Sequence, residues 1–283
     1  MIRFDPKSTA RRGDTSKLWK SKPIEARWES LAIPQLTLRQ GVDYDRFAAR
    51  RTLQDQLEQF QRTRDASSAT SGYQRFQQQA HTLLTSPDAK RALDIEEEPA
   101  KLRDRYGRTI NGQSALMCRR LVEAGVPFVN FQWLAPREYH YNWDTHEQNF
   151  RALKTLQLPA LDQALSSLLL DLEERGLLET PLIVVASDMG RTPKVGDPLS
   201  STGRNHWNYC QTALLAGGGI RGGQSYGASD KIGAYPIDSP IQPEHIAATV
   251  YDALGIYDNL WATNFLDQPF HLLEKGHPLP LFG

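Results

Sequence analysis

Two carboxylates and two imidazoles fall at the ends of apolar segments between Trp143 and His206. Asp144 and His146 stand two residues apart in Trp143-Asp-Thr-His146, and a loop can turn such a pair toward one point. Asp188 follows the apolar run Pro181–Ala186, and His206 lies in Gly203-Arg-Asn-His-Trp207. An aspartate at the end of a buried strand is costly to keep without a partner, and a divalent cation compensates it. Mixed nitrogen and oxygen ligands point to Zn²⁺ or a similar borderline ion rather than to Ca²⁺, which takes oxygen alone. Each residue also has a plainer role. His206 beside Trp207 suits a packed, hydrogen-bonded ring. Asp144-Thr-His-Glu147 suits the N-cap of a following helix. Asp188 suits a turn before Gly190. Their convergence at two successive strand ends is what favours a metal site. Arg191 and Arg204 bracket the second loop and match phosphate or sulfate oxygens through two-pronged hydrogen bonds, although each alone fits a surface ion pair better. Asn205 completes the expected substrate-binding set.

Other motifs carry less. Gly217 to Gly222 spells Gly-x-Gly-x-x-Gly after a strand, but a dinucleotide site requires a helix to begin there. The turn-like Gln224–Asp230 follows instead. No Gly-x-Ser-x-Gly elbow occurs, and neither Ser114 nor Ser187 has support as a nucleophile. Lysine plus arginine and aspartate plus glutamate are equal at 33 each, which argues against a general nucleic-acid surface. No stretch reaches the ~18 apolar residues of a membrane span. The first residues lack the apolar centre of a secretory signal. Cys118 and Cys210 are the two cysteines, too few for a disulfide framework, and are expected as buried free thiols.

The elements that must position these groups alternate. Residues 1–45 form an expected irregular arm. Residues 46–92 form a helical layer, with patterns over 43–64 and 73–84 and a short helix opened by Ser86-Pro87-Asp88. The core, residues 93–283, begins with a helix over 114–124, stopped by Gly125. A buried strand is expected over 126–133. A long helix over 150–176 turns Leu158, Leu161, Leu165, Leu168, Leu169 and Leu172 inward, with a kink or restart at Pro159. Strands over 181–186 and 212–216 and a helix over 242–254 follow. Such alternation implies an α/β fold with a mostly parallel sheet flanked by helices, whose ligands bind at the carboxyl ends of strands.

The wording of several segments goes further. WDTHEQNF, LPALDQALSSLLLDLEERGLLETPLIVV, SDMGRTP, GRNHW and LLAGGGIRGGQSYGASD resemble the bacterial domain-of-unknown-function 1501 family. The resemblance runs from about Leu93 to the C-terminus, with YDRFAARRTLQDQL fitting more loosely. That family in turn is similar to the alkaline phosphatase superfamily, which includes sulfatases. The resemblance implies an alkaline-phosphatase-like fold and one or two divalent ions, Zn or Mn, acting on phosphate or sulfate esters of small molecules or glycans. It implies Asp144, His146 and His206 as ligands of one ion and Asp188 as a ligand of a second. Met189 departs from the pattern, since superfamily enzymes carry histidine there and this family usually shows Glu-Phe across the two positions. Superfamily enzymes also supply an aspartate ligand and a nucleophile from an earlier strand and helix, and longer family members look exported. This chain begins after that region, so the fold is expected to be incomplete at its N-terminal side, as a fragment or a short form. A non-catalytic module that binds an anion or a glycan is the alternative.

Overall fold

The structure is a computed structural model. It describes residues 86–133, 143–196, 201–256 and most of 261–282, with isolated positions between 43 and 52. All of the expected arm but residues 43 and 45 lies outside the described residues, as does nearly all of the helical layer before residue 86. The described positions 45–47, 49, 50 and 52 are helical.

The helical part begins as the local signals dictate. Ser86 caps α1 (Pro87–Leu93) by accepting from the Ala89 amide at 3.2 Å, with Pro87 in the first turn. Helix α2 (Ala100–Tyr106) and helix α3 (Ile110–Glu123) follow, and Thr109 caps α3 through its hydroxyl. Helix α3 therefore starts four residues before the apolar periodicity does, because the cap sets the boundary. A short helix α4 (Asn149–Ala152) runs through a π turn (Leu153–Gln157) into α5 (Leu158–Glu174). Pro159 sits in the first turn of α5 and has no amide to donate, and the wide turn just before it is where the chain absorbs the misfit. Gly125 and Gly176 take positive φ just past α3 and α5, as helix stops do.

Helices α2, α3 and α5 pack around Tyr106, Ala115, Leu116 and Ala164, with Leu102, Trp133 and Leu168 against them. The most buried face of α5 is Ala164, Ser167, Asp171 and Leu172, while Leu158 is exposed. The leucine stripe is thus only partly inward, because α2 and α3 present polar groups to α5. Ser167 Oγ donates to the Arg105 carbonyl at 2.8 Å, and Tyr106 donates to Asp171 at 2.9 Å.

The strands depart from expectation. Strand β1 (Leu182–Val185) pairs with β4 (Leu214–Gly217), and the pairing is antiparallel, Leu182 opposite Gly217 and Val185 opposite Leu214. Strands β2 (Gly190–Arg191) and β3 (His206–Trp207) pair likewise within the connection. So do β5 (Ala228–Ser229) with β6 (Pro236–Asp238), and β7 (Trp261–Thr263) with β8 (Pro269–His271). Every sheet among the described residues has two strands, and none contains a parallel pair. A parallel crossover needs a long connection, usually a helix. The described residues between β1 and β4 contain no helix, so the chain doubles back. Residues 126–133 form no strand, and Phe128 and Phe131 are exposed. A strand-like composition makes a strand only beside a partner, and none pairs with this run among the described residues. Helix α6 (Pro243–Ala253) stands where expected, and the glycines after β4 lead into a turn with no helix beginning on them.

Both cysteines are free thiols. Burial pushes the Cys118 thiol up to about 11. In a Cys210→Ser variant, Cys118 is therefore expected to react with a thiol reagent at pH 8 about 100-fold more slowly than an ordinary thiol. Timed alkylation of the native and unfolded protein checks this, and equal rates would contradict it.

Candidate metal centre

The site forms where the Trp143–Gln148 loop lies against the β2–β3 pair. Thr145 is fully buried and points away from solvent, its Oγ1 accepting from the Asn149 side chain in the first turn of α4. Its two neighbours, Asp144 and His146, consequently turn outward together. The loop is stitched to the strand pair by backbone: the Arg204 amide donates to the Thr145 carbonyl at 3.3 Å, and the Asn149 amide to the Thr202 carbonyl at 3.1 Å. Between these contacts Gly203 is buried against the loop. A Cβ there would lie 1.6 Å from the His146 carbonyl oxygen.

In the β2–β3 register Arg191 stands opposite His206. Directly paired residues share a face, so both side chains reach the same point. That point is one oxygen, Asp144 Oδ1. His206 Nε2 lies 2.8 Å from it, His146 Nε2 3.0 Å, and Arg191 donates to it at 2.5 Å. The two imidazole Nε2 atoms are 3.1 Å apart. Asp144, His146 and His206 are the one group of potential ligands brought together among the described residues. Partial burial pushes the Asp144 carboxyl up, but the Arg191 guanidinium and the imidazoles beside it hold it below the ordinary carboxylate range.

The donor set fits a divalent ion. With both Nδ1 atoms protonated, two imidazole lone pairs and a carboxylate oxygen face one another, an arrangement of acceptors that a cation satisfies. Their separations lie near the ~3.0 Å between neighbouring ligands of a six-coordinate ion with bonds of about 2.1 Å, and a tetrahedral ion requires them to spread by only a few tenths of an ångström. Asp144 and His206 are exposed enough for an ion to reach them from solvent.

The other expected residues are placed differently. Asp188 is exposed and lies outside the three-residue group. Asp144 is not a helix cap, since Gln148 precedes α4 with a left-handed backbone. The Arg204 guanidinium is turned to the backbone, donating to the Thr192 carbonyl at 2.6 Å and the Arg191 carbonyl at 3.1 Å. Asn205 Oδ1 accepts from the His206 amide at 2.8 Å and so holds β3 at its start. Of the expected substrate-binding residues, Arg191 alone sits at the ligand group. Sequence reasoning did not find Thr145, Asn149 or Gly203. The four-residue spacing of Thr145 and Asn149 at a helix entrance is a local signal; the closeness of Gly203 to His146 has none. His140 and the rest of its loop lie outside the described residues.

A family described as "Protein of unknown function (DUF1501)" matches residues 9–281. No curated protein and no solved structure matches the chain.

Proposed function

The chain belongs to the DUF1501 family of proteins of unknown function, and on that premise we propose that it is a metal-dependent hydrolase-type domain acting on phosphate or sulfate esters. One observation carries the proposal: Asp144, His146 and His206 bring three ligand atoms to one point at the rim of a strand pair. These residues would hold one divalent ion, Zn or Mn. Asp188 would serve a second only with ligands that the described residues do not bring to it. The relation to the alkaline phosphatase superfamily rests on the wording of the motifs and not on the strands, whose described pairs are antiparallel.

The bound ion would supply Lewis acidity toward an anionic ester oxygen. The chain's own contributions are positional. Thr145 and Asn149 orient the two loop ligands. Asn205 holds the start of β3, and Arg204 ties β3 to the backbone of β2. Arg191 sets a permanent positive charge beside the ligands, where an ester's anionic oxygens would gather.

Metal analysis of the purified protein is expected to give about one equivalent of Zn or Mn, falling to background in Asp144→Ala and His206→Ala. Turnover of aryl phosphates or aryl sulfates is expected to fall with it. Less than one equivalent that neither substitution changes would sink the metal site. Full metal with binding but no turnover of these esters would replace the hydrolase with an anion-binding module.

No helix among the described residues is long and apolar enough to cross a membrane.

A further inference from the structure

The oxygen on which the two histidines converge is also held by a cation already in the chain. The Arg191 Nη2 atom lies 2.5 Å from Asp144 Oδ1 and 2.9 Å from the Trp143 carbonyl, and its Nη1 donates to the Arg204 carbonyl at 3.2 Å. Two of these three bonds go to backbone that the metal ligands do not need. We propose that Arg191 is the resident counter-cation of the site, which a divalent ion must displace from Asp144 and which then offers its freed N–H group to a tetrahedral oxyanion. The inference rests on the metal reading above and deepens it, by linking two ligands through one residue.

The coupling is electrostatic. A guanidinium and a divalent ion sharing one carboxylate oxygen repel each other across a few ångströms, at a partly exposed site where water screens only part of the interaction. Arg191 therefore lowers metal affinity in the absence of an anion. The carbonyls of Trp143 and Arg204 keep the guanidinium tethered at the rim after displacement, so it remains beside the ion with an unused donor. An oxyanion bridging the ion and this donor removes the repulsion. Metal and oxyanion then strengthen each other's binding, and the linkage is reciprocal. A residue that merely orients Asp144 would act in the opposite direction, because its loss would weaken the metal.

The test measures Zn²⁺ affinity by competition with a chromophoric chelator, for the full chain and for Arg191→Gln, with and without inorganic sulfate. Arg191→Gln is expected to bind Zn²⁺ about tenfold more tightly than the unsubstituted chain without sulfate. Sulfate is expected to tighten Zn²⁺ binding severalfold in the unsubstituted chain and far less in the variant. Affinity in a folded Arg191→Gln variant that is unchanged or weaker would overturn the proposal. If thermal unfolding shows that the variant does not fold, sulfate on the unsubstituted chain decides alone, tightening supporting the proposal and its absence overturning it. If neither protein binds Zn²⁺, the metal reading itself has failed, which the chelator shows directly.

Discussion

Replacing Gly203 with alanine is expected to break up the candidate metal centre and lower the stability of the chain around it. The added methyl would meet the His146 carbonyl oxygen at 1.6 Å and its carbon at 2.1 Å. These are backbone atoms, so no change of rotamer relieves the clash, and either the ligand loop or the β2–β3 pair must move. The backbone contacts that would break are those holding Thr145 and Asn149 to residues 202–204. Overpacking usually costs ~1–3 kcal/mol, and a backbone collision belongs at the top of that range. A cost of about 3 kcal/mol corresponds to a fall in Tm of roughly 6–12 °C. Asp144 and His146 would leave His206, and metal binding should drop by at least 100-fold. Gly222 provides the control, since a Cβ there meets nothing within 4 Å. A Gly203→Ala variant that melts and binds metal as Gly222→Ala does would refute the geometry of the site.

The second large effect lies away from the site, in the charges between α3 and α5. Arg119 and Asp171 are nearly inaccessible to solvent. Arg119 reaches Glu98 at 2.7 Å, Asp171 at 2.9 Å and Glu123 at 2.5 Å. Arg175 bridges Asp171 and Glu123 at 2.8 and 3.0 Å, and Arg120 joins Glu98 at 2.5 Å. Removing one member strands the others, and breaking such a buried pair costs ~3–5 kcal/mol. Asp171→Asn and Arg119→Met are each expected to cost about that much in chemical denaturation. Burial pushes the Asp171 and Glu98 carboxyls up, but the arginines around them outweigh it and hold both below their ordinary values. A carboxylate with a depressed folded pKa contributes stability above its unfolded value, and that stability is lost as pH falls through the folded one. Stability should therefore decline below about pH 4, and less steeply in Asp171→Asn. Equal acid slopes in the two proteins would count against the network.

The same contrast between local and distant causes explains what the sequence made legible. Helix boundaries were legible where a cap or stop is written beside them, as at Ser86, Gly125 and Gly176. The cluster of Asp144, His146 and His206 was legible as a candidate because aspartate and histidine at loop positions are chemically conspicuous. Strand direction was not, because the apolar runs at 182–185 and 214–217 have the same composition whether paired parallel or antiparallel. The run at 126–133 misled for a related reason, since a ladder depends on a neighbour that composition does not reveal. The inward face of α5 was misjudged because leucine marks burial more loudly than Ser167 or Asp171, and the partners that bury those residues lie on α2 and α3. Arg191 and Asp144 are 47 positions apart, and they meet only because the loop carrying Asp144 lies against the β2–β3 pair, which nothing local to either residue signals.

The π turn ahead of Pro159 has a consequence for how this chain can diverge. A helix with a single widened turn is what remains when one residue is inserted between two faces that are each already committed. Here the upstream face carries Asn149, which holds the ligand loop, and the downstream face carries Asp171, which anchors the charge network. Each added or lost residue in an ordinary helix rotates one face against the other by roughly 100°. The wide turn at Leu153–Gln157 confines that slippage to five residues. Removing one residue from this turn is therefore expected to restore a regular helix with both faces in phase, whereas a one-residue deletion elsewhere in α5 rotates them apart.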